Sequence, residues 1–260
     1  MQILILTQNE NLYLPESLNT VCEGLKGEIA CIVSAPSMST HGGAIKGFFR
    51  HLALFGLKGT AIMVWRVINA IVRDKISRPR PHGPYFSLRA VAQSHQIRFF
   101  EVNKVNDDEF YAIIDKFQPD LLISLSCPQV VGKKVRDRIP KGCINVHGAP
   151  LPKYRGLMPA FWMLRNGETR VASTVHDLEQ KLDDGDILVQ RDVTITADDT
   201  WDSLVRKTKA EGAKALIDAV VAIRDGTVER KPNLEEEATY YSFPTAEDRK
   251  VFINAGRRFF

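Results

Sequence analysis

The sequence predicts an α/β protein: a Rossmann-like, mostly parallel sheet with helices on both faces, a helical insertion and a short C-terminal tail. Three observations predict it. Apolar runs of strand length alternate with longer helical patterns, two of those patterns open on helix-start residues, and residues 36–84 interrupt the rhythm with a basic, apolar segment. A chain of 260 residues holds one large domain, or one of about 200 residues with an appended piece. Its 44% hydrophobic and 25% charged content belongs to a globular chain, so long disorder is not expected.

Taken in order, QILILT (2–7) reads as a strand and PESLNTVCEGLKG as a helix with Pro15 and Glu16 in its first turn, followed by the strand EIACIVSA (28–35). Beyond the interruption, IRFFEV (97–102) is a strand, and NDDEFYAIIDKFQ a helix whose Asn106, Asp107, Asp108 and Glu109 supply a cap and acids for its positive end. DLLISL (120–125) then precedes a helical pattern, PQVVGKKVRDRI, and GCINVH ends a further strand. A Pro-rich loop, a short helix through PAFWMLRNG and two apolar stretches, TRVASTVHDL and DILVQRDVTI, lead to a long helix. That helix is expected to start near Asp198, Asp199 and Thr200 and to stop at Asp225-Gly226. Residues 1–226 thus form the main domain. Residues 227–260 are expected to be an irregular tail with aromatic anchors, Tyr240, Tyr241, Phe243, Phe252, Phe259 and Phe260.

The insertion at 36–84 reads as two helices, GGAIKGFFRHLALFG and LKGTAIMVWRVINAIVRDKI, ended by SRPRPHGP. It holds eight Lys or Arg against Asp74 alone, net +7, leaving −3 on the rest of a chain whose net charge is +4. In the second helix Lys58, Arg66, Asn69 and Arg73 fall within about 80° of a wheel at roughly 100° per residue, so a narrow basic face borders a broad apolar one. A helical pair packed on itself or on a dimer partner is the expected reading. Peripheral contact with anionic lipid or a lipid-linked substrate, and a nucleic-acid patch, are the alternatives. Arg66 at its centre argues against a spanning helix.

Cys22, Cys31, Cys127 and Cys143 form no CxxC pair, and MQILILTQNE has neither a basic region before an apolar run nor a small-residue cleavage site. A cytoplasmic protein with reduced thiols and no bound metal is expected.

The chemistry concentrates after the fifth strand. Asn145 and His147 are two residues apart, so in extended chain both face one side, opposite Val146, at the strand's C-terminal end, where α/β sheets form ligand crevices. Further on, His176 precedes the turn LDDGDIL, which offers Asp183. An Asn donates to a developing oxyanion, a His moves a proton near neutral pH, and a carboxylate beside it sets its tautomer. Those are the needs of amine attack on an activated acyl group. From the residues alone, an Asn and a His that bond their own loop satisfy the same pattern.

INVHGAPLPKYRG (144–156), STVHDLEQKLDDGDIL (173–188) and the 36 residues separating His147 from Asp183 resemble the formyltransferases that use 10-formyltetrahydrofolate. The resemblance extends more loosely from about residue 97 to 215. It implies Asn145, His147 and Asp183 as the catalytic trio. It also implies a pterin pocket lined by Cys127, Gln129, Val131, Leu178 and Leu182, with His176 a structural residue facing the loop of Asp183. The amine side would lie near Gln8, Asn9 and Arg155. Relatives acting on methionyl-tRNA carry a large C-terminal β domain, whereas 34 residues follow the last long helix here, and sugar N-formyltransferases append short aromatic tails. The expected acceptor is accordingly a nucleotide-linked amino sugar of cell-surface glycan synthesis, with no nucleic acid, and a homodimer is the expected assembly. Methionyl-tRNA or glycinamide ribonucleotide formylation, formyltetrahydrofolate hydrolysis and a non-catalytic folate-binding relative are the alternatives.

Overall fold

A computed structural model describes residues 1–36, 44–76 and 83–260. Strands β1 (Ile3–Gln8), β2 (Ile29–Ala35), β3 (Arg98–Glu101), β4 (Leu121–Leu125), β5 (Cys143–His147), β7 (Arg170–Asp177) and β8 (Ile187–Thr194) form one sheet in the order β3-β2-β1-β4-β5-β7-β8. The first five are parallel, and β7 and β8 add an antiparallel hairpin. The run ILIL in β1 is apolar without alternation because both faces are covered. Ile3 and Ile5 enter a core with α1 (Leu14–Gly24) and α7 (Trp201–Asp225), while Leu4 and Leu6 enter a second core with α4 (Asp108–Phe117) on the other face.

Local chemistry sets the helix ends. Glu10 accepts from the backbone N–H groups of Leu12, Tyr13 and Leu14 and so caps α1, which has Pro15 in its first turn. Asp107 caps α4 through the N–H of Phe110, and Thr200 with Ser203 forms a capping box on α7, which ends at Gly226 with φ 70°. A short helix, α3 (Leu88–Ser94), stands in a stretch where the sequence pattern predicts none; Ser87 caps it. The helix expected over PQVVGKKVRDRI shrinks to one turn, α5 (Lys133–Arg136). Pro128 and Gly132 delay it, and the Gln129 amide instead ties the loop to Val105 N and Asn103 O.

The insertion contributes α2 (Ala44–Ile76), bent at Gly56 (φ 69°, ψ 178°), so two helices meet where two are expected. The start of GGAIKGFFRHLALFG and most of SRPRPHGP lie outside the described residues. Leu54 and Phe55 are buried in an aromatic cluster with Trp201, Phe252 and Phe259, which also receives α6 (Pro159–Arg165). The tail is more ordered than expected. β9 (Tyr240–Tyr241) pairs with β6 (Arg155–Gly156), and α8 (Ala246–Asn254) starts on a Thr245–Asp248 capping box.

Candidate active site

The C-terminal ends of β1, β4 and β5 open into a cavity of about 520 Å³. Asn145, beside Ser124 of β4, and His147 both line it. Between them Val146 packs on α7: a Cβ added to Gly212 would stand 2.9 Å from Val146 Cγ2, so the glycine is what lets helix and strand approach.

His147 is 7% exposed, and its Nε2 donates to the Tyr154 carbonyl at 2.7 Å. A carbonyl only accepts, so Nε2 carries a proton and Nδ1 is the nitrogen free to gain or lose one. Nδ1 lies 3.5 Å from Asp183 Oδ2. Asp183 is 6% exposed and its backbone is left-handed, φ 53°, a conformation Asp tolerates better than most residues. Burial alone would raise its pKa. The neighbouring His147 and His176 rings and the Gly156 N–H, which donates to Oδ2 at 2.9 Å, outweigh it and hold the carboxyl at about 2.

His176 lies closer to the chemistry than a residue that only faces the Asp183 loop. β7 runs antiparallel to β5 with His176 opposite Asn145, and its Nε2 is 3.1 Å from Asn145 Nδ2 and 3.6 Å from Asp183 Oδ1. Nδ1 donates to the Asp177 carbonyl at 2.8 Å, which leaves Nε2 to accept from the Asn145 amide. One amide N–H is thereby fixed and the other is available to the cavity.

Arg155 does not belong to the amine side of the cleft. Its side chain is fully buried; Nη1 lies within hydrogen-bonding reach of Asp184 and of the exposed Glu235 and Tyr240, and Nη2 donates to the buried Asn233, so its donors are engaged by the protein. Asn233 in turn donates to the carbonyls of Asp183 and Gly185, so Arg155 and the tail grip the turn that presents Asp183. Asn9 is exposed and outside the lining, whereas Gln8 is part of it.

Cys127, Gln129, Val131, Leu178 and Leu182 all line the cavity, Leu182 with 57% of its surface exposed. Burial pushes the Cys127 thiol up to about 11, against a small opposing effect of its bond to Gln129, so it lines the cavity as a thiol and not as a nucleophile. Two features escaped sequence reasoning. Lys209 of α7 reaches the cavity and donates to Ser126 Oγ at 2.9 Å, its pKa lowered by burial. From the insertion come Arg50 and His51, with the Arg50 guanidinium 4.6 Å over the Phe243 ring, itself part of the lining. Tyr241 stacks on Tyr154 instead, and Phe252 and Phe259 pack in the core. Among the described residues no group of three or more His, Cys, Asp or Glu is placed to hold a metal ion.

The profile of the Formyl transferase family matches residues 68–220. A methionyl-tRNA formyltransferase of Agathobacter rectalis is 34% identical over 181 residues, 68% of this chain and 58% of that protein; one from Geobacillus thermodenitrificans is 35% identical over 153 residues, 59% and 48%. The chain thus spans little more than half the length of the curated relatives it matches. Among solved structures, phosphoribosylglycinamide formyltransferase from Anaplasma phagocytophilum superposes with a TM-score of 0.62 at 16% identity, covering 94% of this chain and 99% of that one. The N-formyltransferase from Helicobacter canadensis, in complex with folinic acid and dTDP-3-aminofucose, gives 0.58 at 17% identity, covering 93% and 71%. At these identities the superpositions establish the shared fold.

Proposed function

The chain belongs to the formyl transferase family that depends on formyltetrahydrofolate, and from that premise we propose that it transfers a formyl group from 10-formyltetrahydrofolate to a primary amine, that of an amino-sugar nucleotide. The observation that carries the chemistry is the convergence of Asn145, His147 and Asp183 on one cavity, with the His–Asp contact at 3.5 Å.

In this reading the amine lone pair forms a bond to the formyl carbon while the carbonyl electrons move to oxygen. Asn145 donates its free N–H to that oxyanion, in the orientation His176 imposes. His147 Nδ1 takes the proton released by the new ammonium group, and the charged imidazole is held by Asp183. Return of a proton to N10 lets the carbon–nitrogen bond to the donor break, releasing tetrahydrofolate and the formamide. Neither Cys127 nor any serine is needed as nucleophile. The pterin would occupy the wall from Cys127 to Val131 and the loop Leu178–Leu182. A cavity of about 520 Å³, apolar apart from a few convergent polar groups, suits it.

The opposite wall supports the acceptor. Arg50 has its Nε buried without a hydrogen-bond partner among the described residues and lies over Phe243, beside His51. A cation next to an aromatic face fits a nucleotide diphosphate and base. The dTDP-aminosugar held by the Helicobacter canadensis neighbour is of that class. Methionyl-tRNA is the second reading, favoured by the sequence relatives at 30–35% identity.

The deciding experiment offers 10-formyltetrahydrofolate with a panel of amino-sugar nucleotides, and with methionyl-tRNA in parallel, and follows the acceptor's mass. A gain of one formyl group on an amino-sugar nucleotide is the expected result. Formylation of methionyl-tRNA alone would assign the second reading. Formate released at the same rate without any amine would make the protein a hydrolase, and no donor turnover with any acceptor would leave a folate binder.

A further inference from the structure

The second half of α2 is built inside out. From Leu57 onward, Leu57, Val64, Trp65, Ile68, Val72 and Ile76 are between 45% and 81% exposed. At roughly 100° per residue they occupy an arc of about 120° that runs some 28 Å along the helix (roughly 1.5 Å per residue). The side turned to the protein carries a charge instead. Arg66 Nη1 pairs with Asp202 Oδ1 at 2.7 Å, its guanidinium lies over Phe260, and Gly59, Thr60 and Ala70 are buried around it. A helix on a water-facing surface has the opposite arrangement, and a contiguous apolar face of this length marks an interaction surface.

By length and composition the stretch Gly47–Ile76 suffices to cross a membrane. Its attachments show that it lies alongside the domain. Leu54, Phe55 and Ala70 are buried and Arg66 is fastened to α7, so the helix is held on one side along its length and open on the other.

We propose that this open face docks the protein on an anionic lipid surface as an interfacial helix. Charge decides between lipid and a second copy of the chain. On the same wheel Lys58 and Arg73 lie along one edge of the apolar arc and Lys75 at its end, all three exposed, in a segment whose only acid is Asp74. Packing two such faces together would set like charges against one another, whereas anionic headgroups match them. The stems of Lys58 and Arg73 are long enough to lie on the apolar boundary with their charges among headgroups. Trp65 stands between the apolar arc and the cationic edge, the position an indole prefers at a lipid–water boundary. Phe48 and Phe49, 49% and 61% exposed, continue the apolar surface beyond the bend at Gly56.

The test is flotation of the full chain with vesicles of phosphatidylcholine alone and of phosphatidylcholine with phosphatidylglycerol. The protein is expected to float with the anionic vesicles and to be released by high salt. A Trp65→Glu, Ile68→Glu double variant should stay at the bottom of the gradient with an undiminished melting temperature, because both side chains are exposed. Lys58→Glu with Lys75→Glu should weaken partitioning by about tenfold or more, at about 1 kcal/mol per charge near the surface. Sedimentation of the same proteins without lipid is the counter-experiment. A wild-type dimer that the Trp65→Glu, Ile68→Glu variant turns into monomer, with no flotation, would assign the face to a second copy and overturn the proposal, as would a monomer that never floats. None of these readouts involves formyl transfer, so they stand apart from the catalytic reading.

Discussion

Asn145 Nδ2 lies 3.1 Å from His176 Nε2, two side chains set opposite each other by the antiparallel pairing of β5 and β7. Because His176 Nδ1 is committed to the Asp177 carbonyl, the imidazole fixes which way the Asn145 amide points. Asn145→Ala removes the oxyanion donor and should lower kcat by about 10² to 10³, the range for such donors. His176→Ala leaves the donor but frees its orientation, so a smaller fall is expected, about five- to tenfold for one net hydrogen bond, in kcat with the donor KM little changed. Steady-state kinetics on both variants check this; a His176→Ala enzyme with unaltered kcat would remove the positioning role.

That Asn145, His147 and Asp183 would meet at one cleft was legible from the resemblance carried by INVHGAPLPKYRG and the LDDGD turn, with a strand edge and a turn as their local setting, and all three do line one cavity. The parallel order of β1 to β5 was legible from alternation of apolar runs and helical stretches. What stayed hidden depends on distant pairing. The position of His176 beside Asn145 follows from the register of the β5–β7 pairing, which no local signal encodes. Arg155 was expected on the amine side of the cleft because the partners that engage it, Asn233, Glu235 and Tyr240, lie 78 to 85 residues further on. A wheel drawn for α2 shows a polar stripe and an apolar one without saying which is turned inward.

Asp183 should leave a signature in the pH dependence of stability. Its pKa falls from 3.8 to about 2 on folding, so the native state binds fewer protons in that window. The stabilisation is therefore fully present above about pH 4 and is lost as pH drops through about 2, a contribution on the order of 2 kcal/mol. Asp183→Asn lacks this titration. Urea midpoints measured from pH 6 downward should show the gap between wild type and Asp183→Asn narrowing below pH 4, and turnover of the variant should be reduced at every pH. A gap that stays constant to pH 2 would contradict the assignment.

Arg155 separates a structural role from an acceptor-binding one. Its guanidinium joins the Asp184 turn to the tail, and removal leaves buried acceptors on Asn233 and a carboxylate on Asp184 without their cation. Arg155→Ala should cost about 2 to 4 kcal/mol, from the lost packing of a fully buried side chain and the Asn233 acceptors left unpaired, because the Glu235 and Asp184 carboxylates keep access to water. For a chain of this size that is a fall in melting temperature of roughly 10 °C. Activity should fall with stability. An acceptor-binding arginine would instead raise the acceptor KM with no change in melting temperature, so calorimetry and acceptor titration on one variant distinguish the two.

Gly185 couples the catalytic turn to the imidazole that orients Asn145. A Cβ on Gly185 would stand 1.9 Å from the Asp177 carbonyl oxygen, the atom that accepts from His176 Nδ1, and the obstacle is backbone that no side-chain rotation relieves. Gly185→Ala must therefore displace either the Asp183 turn or the acceptor that sets the His176 tautomer. Gly167 provides the contrast, with φ 79° and nothing within 4 Å of an added Cβ, so Gly167→Ala costs only backbone strain of about 1 to 2 kcal/mol. Expected for Gly167→Ala is a lower melting temperature with kcat unchanged. For Gly185→Ala kcat should fall by about tenfold or more, the 1.4 kcal/mol lost with one oriented donor, together with changed nitrogen shifts of the His176 ring in NMR spectra. A Gly185→Ala enzyme with wild-type kcat and unchanged His176 shifts would mean that the β7–β8 connection absorbs the clash without moving either group.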